Sequence, residues 1–153
     1  RPHFERAAAI GLPAVPHAGE TEGADSVRQA VVDLGAARIG HGVRCLEDPD
    51  VVRLLREREI MLEVCPTSND LLQVVERIED HPLPALIDAG LRVCLNTDDP
   101  GWFATDLVHE LEVATEVFDV PLERHRAMQL DAVAASFMSA EPAATLRQDI
   151  ATY

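Results

Sequence analysis

Apolar residues gather in four short runs: LPAVPH (12–17), ARIGH (37–41), IMLEVCP (60–66) and LRVCLNTDD (91–99). Each run is brief, nearly continuous in apolar character and bounded by Gly or Pro. That pattern predicts strands buried on both faces, as in a parallel sheet. Helical periods fill the gaps between them. In ADSVRQAVVDLG, Val27, Val31 and Leu34 share one face, and Gly35 stands where a C-terminal cap belongs. EDPDVVRLLRERE offers Asp48 as N-cap and Pro49 at the first helical position. DHPLPALIDAG closes on Gly90, a second glycine stop. After the fourth run, TDLVHELEVATEVF predicts a helix capped by Thr105, with Leu107, Leu111 and Ala114 stacked on its buried side. The tail, 121–138 and then 141–150, continues helically.

The predicted order is therefore (α)βαβαβαβαα, an α/β chain whose parallel strands are joined by right-handed crossovers. The period is regular, with 24 residues from His17 to His41 and 24 again from His41 to Cys65. It suits a βα barrel or a doubly wound sheet. No linker or low-complexity stretch interrupts residues 1–153, which read as one domain or part of one. The opening RPHFERAAAIG lacks a Met and is already helix-like, so the chain reads as cut from a longer protein.

Polar chemistry collects at the carboxyl end of each run. The first ends in His17 with Glu20 just beyond, and the second in His41. The third ends in Thr67, Ser68 and Asn69, and the fourth in Asp98 and Asp99. In βα architectures this is the end where ligands bind, because the βα loops converge there. Taken singly, each motif has a structural explanation. A strand-end His is often only hydrogen-bonded, DDP is a turn sequence, and CPTSN can cap the next helix. Four runs delivering such groups to one rim point instead to a site. Histidine with carboxylate suggests a divalent metal, most naturally zinc. The small Ala18-Gly19 pair lets the chain turn so that Glu20 swings back over the rim. His109 and His125 fall in helical patterns and His81 precedes a Pro, so all three are expected at the surface. Trp102, after DDPG, is placed equally well in contact with substrate or in packing.

Composition narrows the partners. With 27 acidic residues against 13 Arg and no Lys, the net charge of −14 argues against a nucleic-acid partner, which needs clustered basic groups. Aromatics make up only 4% of the chain, so the core must be built from Leu, Val, Ile and Ala. Cys45, Cys65 and Cys94 are odd in number and lack C-x-x-C spacing, which suits buried reduced thiols in a cytoplasmic protein. No run is long enough to span a membrane, and no signal peptide is visible.

HAGE, RIGHG, EVCPTSN and LNTDDP, in this order and spacing, resemble the adenosine deaminase family of zinc-dependent aminohydrolases, from about residue 3 to about residue 140. HGVRCLEDP and DHPLPALIDAG also look like its bacterial adenine and aminodeoxyfutalosine deaminases. The resemblance implies a (β/α)8 TIM barrel of the metal-dependent hydrolase type, with these motifs on strands 5–8. It implies that His17 and Asp98 are zinc ligands and that Glu20 protonates the purine ring nitrogen beside the attacked carbon. His41 would orient or deprotonate the metal-bound water. Asp99 would hydrogen-bond both the purine and the attacking water, as a catalytic as well as a substrate-binding residue, and Gly19 would offer the base its backbone. The implied reaction is hydrolytic deamination of adenosine, or of a related adenine-containing base or metabolite, to the oxo compound and ammonia.

The family's first strand supplies a His-x-His pair to zinc, and no H-x-H occurs in this chain. Two ligands are too few for a catalytic zinc, and a full barrel takes about 250 residues. The chain thus reads as a C-terminal half-barrel, completed by a missing N-terminal half or by self-association, and inactive in isolation. Two other readings stand beside this one. A catalytically silent half-barrel module would hold no stoichiometric zinc. An amidase-like barrel hydrolase would leave Glu20 dispensable.

Overall fold

Four parallel strands lie side by side in the order β1-β2-β3-β4, joined through helices. The computed structural model describes residues 1–152. In chain order these are α1 (Pro2–Ala9), β1 (His17–Ala18), α2 (Ala24–Val32), β2 (Arg38–His41), α3 (Pro49–Glu57), β3 (Met61–Val64), α4 (Pro66–Leu71), α5 (Leu83–Asp88), β4 (Arg92–Leu95), α6 (Pro100–Phe103), α7 (Leu107–Glu116), α8 (Leu122–Ala135) and α9 (Ala140–Thr152). The strand order settles the choice left by the period. A doubly wound sheet reverses its order at a switch point, whereas a barrel adds each strand beside the last. The chain is half of a βα barrel, with β1 and β4 at its two edges.

Side chains of successive strand residues alternate between the faces. Ile39, Leu62 and Val93 face the helix layer, where they meet Val27 and Val31 of α2, Val51 and Leu55 of α3, and Leu83 and Leu86 of α5. Arg38, Glu63 and Arg92 carry the other face. Arg38 pairs with Glu63 at 3.0 Å and Arg92 with Asp131 of α8 at 3.4 Å. The Arg38 guanidinium also lies over the Phe137 ring, 4.3 Å from its centroid. In a whole barrel this face is the lumen.

The caps follow the residues named from the sequence. Asp48 accepts the Asp50 N–H at 2.8 Å, Pro49 opens α3, and Gly35 and Gly90 take φ of +65° and +70° after α2 and α5. Three expectations are corrected. β1 pairs over only His17–Ala18, with one further bridge between Ala14 and Ala36, because Pro13 and Pro16 have no N–H to give a ladder. The third run turns helical at Pro66, and the fourth leaves the sheet after Leu95. α7 is capped by Asp106, which accepts the His109 N–H at 2.9 Å, and not by Thr105. Leu107 is consequently exposed, and Glu110 takes the buried place beside Ala114.

The three cysteines are free; Cys45 and Cys65 are buried and Cys94 half-buried. Burial pushes the Cys45 thiol up to about 12, so it stays protonated and inert. Among the described residues no helix is long and apolar enough to cross a membrane.

Candidate active site

Backbone strain marks two rim positions. His41 ends β2 at φ +64°, and Asp98 lies three residues past β4 at φ +56°. The other four non-glycine residues with positive φ follow the C-termini of helices, where a left-handed residue is ordinary. His41 and Asp98 have no such role, and each pays on the order of 1–3 kcal/mol for this conformation. The strain turns both side chains into one cavity of about 230 Å³, lined by His17, Gly40, His41, Glu63, Cys65, Asn96, Thr97 and Asp98. Gly40 makes room for the His17 ring, since a Cβ there would lie 3.2 Å from His17 Cδ2.

One ligand atom each from His17, His41 and Asp98 falls within 4.8 Å of the other two. The His41 Nε2 is 3.6 Å from Glu20 Oε1 and 4.0 Å from Asp98 Oδ2. Asp98 Oδ2 accepts the Ser68 hydroxyl at 2.7 Å, which fixes the carboxylate from α4. His41 is 2% exposed, and burial holds its imidazole below its ordinary value against the opposing charges of Glu20 and Asp98. The ring is therefore neutral at pH 7. Imidazole and carboxylate converging on one point are nitrogen and oxygen donors suited to a borderline cation such as zinc.

The structure thus brings His17, Glu20, His41 and Asp98 together. Asp99 is not brought in. It is exposed at the N-terminus of α6, outside the cavity lining. Gly19 adjoins the site with both backbone groups engaged: its N–H donates to Ser26 Oγ at 2.8 Å, and its carbonyl accepts the Arg44 N–H at 2.9 Å. Trp102 is 83% exposed, so it does not pack within this chain.

Two histidines expected at the surface are buried. His81 is 3% exposed, and its Nε2 meets Asn69 Oδ1 at 3.1 Å. Asn69 Nδ2 in turn meets His41 Nδ1 at 3.2 Å. Burial, with a smaller push from His41, lowers the His81 imidazole to about 4. His125 is 5% exposed and bonds Thr115 Oγ1 at 3.0 Å, beside an apolar cavity of about 300 Å³ that contains none of the rim residues. Glu110 was likewise not singled out from the sequence. It is fully buried and accepts the Thr67 N–H at 3.2 Å and the Thr105 hydroxyl at 2.6 Å, tying α7 to the start of α4.

Comparison with known proteins agrees with this architecture. The family model described as Adenosine deaminase matches residues 1–153. An aminodeoxyfutalosine deaminase of Streptomyces coelicolor is 42% identical over 153 residues, which is all of this chain and 40% of that protein. An adenosine deaminase of Escherichia coli O139:H28 is 40% identical over 149 residues, 97% of this chain and 45% of that protein. The crystal structure of adenine deaminase from Arthrobacter aurescens superposes with a TM-score of 0.93 at 36% identity, covering 97% of this chain and 46% of that one. The chain spans less than half the length of each of these relatives. With the match running along the whole chain and the half-barrel superposing on a solved relative, this chain belongs to the adenosine deaminase family.

Proposed function

We propose that this chain supplies half of the active site of a zinc-dependent enzyme that hydrolytically deaminates adenine-containing compounds. The observation that carries the reading is the convergence of His17, His41 and Asp98 within 4.8 Å, with Glu20 3.6 Å from His41. His17 and Asp98 would hold the metal as an imidazole and carboxylate pair, with the remaining ligands coming from the other half of the barrel. Zinc, when bound, lowers the pKa of water from about 15.7 to roughly 7 and so provides a nucleophile at neutral pH.

This chain's own residues then have distinct tasks. Ser68 holds the Asp98 carboxylate in place. His41, buried and neutral, holds a proton between the two carboxylates at the point of attack. Glu20, with its side chain 19% exposed at the rim, gives a proton to the ring nitrogen next to the carbon that loses its amine. Addition of water and loss of ammonia convert the aminopurine to the oxopurine. Asp99, exposed beside the cavity, would hydrogen-bond the ring of a bound purine. Gly19 makes room for α2 through its missing side chain, since a Cβ there would collide with Val27 Cγ2, and its N–H and carbonyl are already bonded to Ser26 and Arg44. Adenosine is the first candidate substrate, with adenine and aminodeoxyfutalosine next; identities of 42% and 40% to two different deaminases do not separate them.

The open edges at β1 and β4 make completion necessary, by the missing half-barrel or by a second copy. The test joins this chain to the barrel half that its relatives carry, measures zinc by elemental analysis, and follows ammonia release from the three compounds. Stoichiometric zinc that is lost in His17→Ala, with activity that is lost in Glu20→Gln, supports the proposal. A zinc-loaded, folded barrel that turns over none of the three refutes it. Unimpaired activity in Glu20→Gln would favour an amidase-like reaction instead.

A further inference from the structure

Asn69 bridges two buried histidines, and a backbone N–H at the far end of the chain of bonds sets every proton in it. Leu83 N, the first residue of α5, donates to His81 Nδ1 at 3.1 Å. A backbone amide can only donate, so His81 Nδ1 accepts, and the proton of the neutral ring rests on Nε2. His81 Nε2–H then donates to Asn69 Oδ1 at 3.1 Å. That leaves the Asn69 amide nitrogen facing His41 Nδ1 at 3.2 Å, where it donates. His41 Nδ1 accepts, and its proton rests on Nε2, which points at Glu20 Oε1 and Asp98 Oδ2.

Reversing the Asn69 amide does not work. Its nitrogen would donate to His81 Nε2 while Leu83 donates to Nδ1, which leaves that ring no nitrogen on which to carry a proton. Asn69, His41 and His81 are 0%, 2% and 3% exposed, so bulk water does not substitute for a lost partner. We infer that Leu83 N–H, His81 and Asn69 form a relay that fixes His41 as its Nε2–H tautomer, which makes Asn69 and His81 positioning residues for this site.

The relay determines what His41 does. A nitrogen bearing a proton has no lone pair for a metal, so His41 donates a hydrogen bond into the cavity and is not a third ligand beside His17 and Asp98. The catalytic consequence rests on the proposed deaminase function; the tautomer does not.

The test labels histidine side chains with 15N in this chain and in the completed barrel, and reads ring protonation from two-bond nitrogen–proton correlations, with His41 assigned by His41→Gln. The expected pattern is a bare Nδ1 and a protonated Nε2. Asn69→Asp replaces the donor with a carboxylate that can only accept, so His41 is expected to switch to its Nδ1–H form. Deamination by the completed barrel should fall about tenfold to a hundredfold in kcat with little change in KM, the scale usual for loss of a supporting partner at such a site. His81→Gln keeps a donor toward Asn69 and should retain the Nε2–H form, whereas His81→Leu frees the amide and should give both tautomers. A wild-type His41 protonated at Nδ1 overturns the relay, as does an unchanged tautomer in folded Asn69→Asp. If that variant does not fold, a single Nε2–H form in His81→Leu overturns it equally. An Nε2–H tautomer in a zinc-loaded barrel that leaves every adenine compound unreacted overturns the deaminase reading and leaves the relay standing.

Discussion

Replacing Gly42 by Ala separates two costs that the rim loop carries at one residue. Gly42 follows His41 with φ +71°, and a Cβ there would lie 2.6 Å from Leu62 Cδ2 and 3.2 Å from Leu62 Cδ1. The left-handed backbone costs an alanine about 1–2 kcal/mol. The collision adds about 1–3 kcal/mol, the range for an extra methyl in a filled core, because Leu62 is fully buried between β2 and β4 and has no free volume to enter. Gly42→Ala should therefore cost roughly 2–5 kcal/mol. In a Leu62→Ala background, which alone loses about 2–5 kcal/mol, the collision is gone and only the backbone cost of about 1–2 kcal/mol remains. Urea unfolding of the four proteins in the cycle should thus give a coupling of about 1–3 kcal/mol. Gly42→Ala costing the same in both backgrounds, within about 0.5 kcal/mol, would refute the packing argument and leave backbone conformation as the whole reason for this glycine.

Three further outcomes follow from the geometry. Ser68→Ala frees the Asp98 carboxylate and should weaken zinc retention in the completed barrel by about 10–100-fold, measured by competition with a chelator. Glu110→Leu strands the Thr67 N–H at the start of α4 and should cost about 1–3 kcal/mol in urea unfolding, with Glu110→Gln recovering much of it. His81 is lowered from 6.5 to about 4 in the folded chain, so the unfolded chain binds the extra proton between those values. Its contribution to stability is complete above pH 6.5 and is lost as pH falls toward 4. At about 1.4 kcal/mol per unit that loss is on the order of 3 kcal/mol. His81→Gln should flatten the pH dependence of the urea midpoint across this window, and an unchanged slope would show that folding does not lower the His81 imidazole.

What the sequence revealed and what it hid follow from the range of the interactions involved. Asp48, Pro49, Gly35 and Gly90 act within one helical turn, so their pattern was legible and the structure keeps each in its role. The four apolar runs became β1 to β4 because Ile39, Leu62 and Val93 pack on the helix layer. The expected burial on both faces does not hold, since the other face carries half-buried Arg38, Glu63 and Arg92 in ion pairs. The rim followed, since strand ends in a βα chain converge whatever the side chains are. Thr105 misled because Asp106, one residue on, offers the better acceptor, and the Thr105 hydroxyl turned to Glu110 instead. Asp98 and Asp99 could not be told apart by type; a left-handed turn at Asp98 sends one into the cavity and leaves the other in solvent. His81 was hidden altogether. Before a Pro in a loop it has the local character of a surface residue, and its burial depends on Asn69, 12 positions back, and through it on His41, a further 28 back. The only local sign was the N-terminus of α5 just beyond it, whose first N–H needs an acceptor and finds one in the histidine two residues earlier. That requirement is met inside a buried pair of rings, and so a helix cap becomes the element that decides where His41 carries its proton.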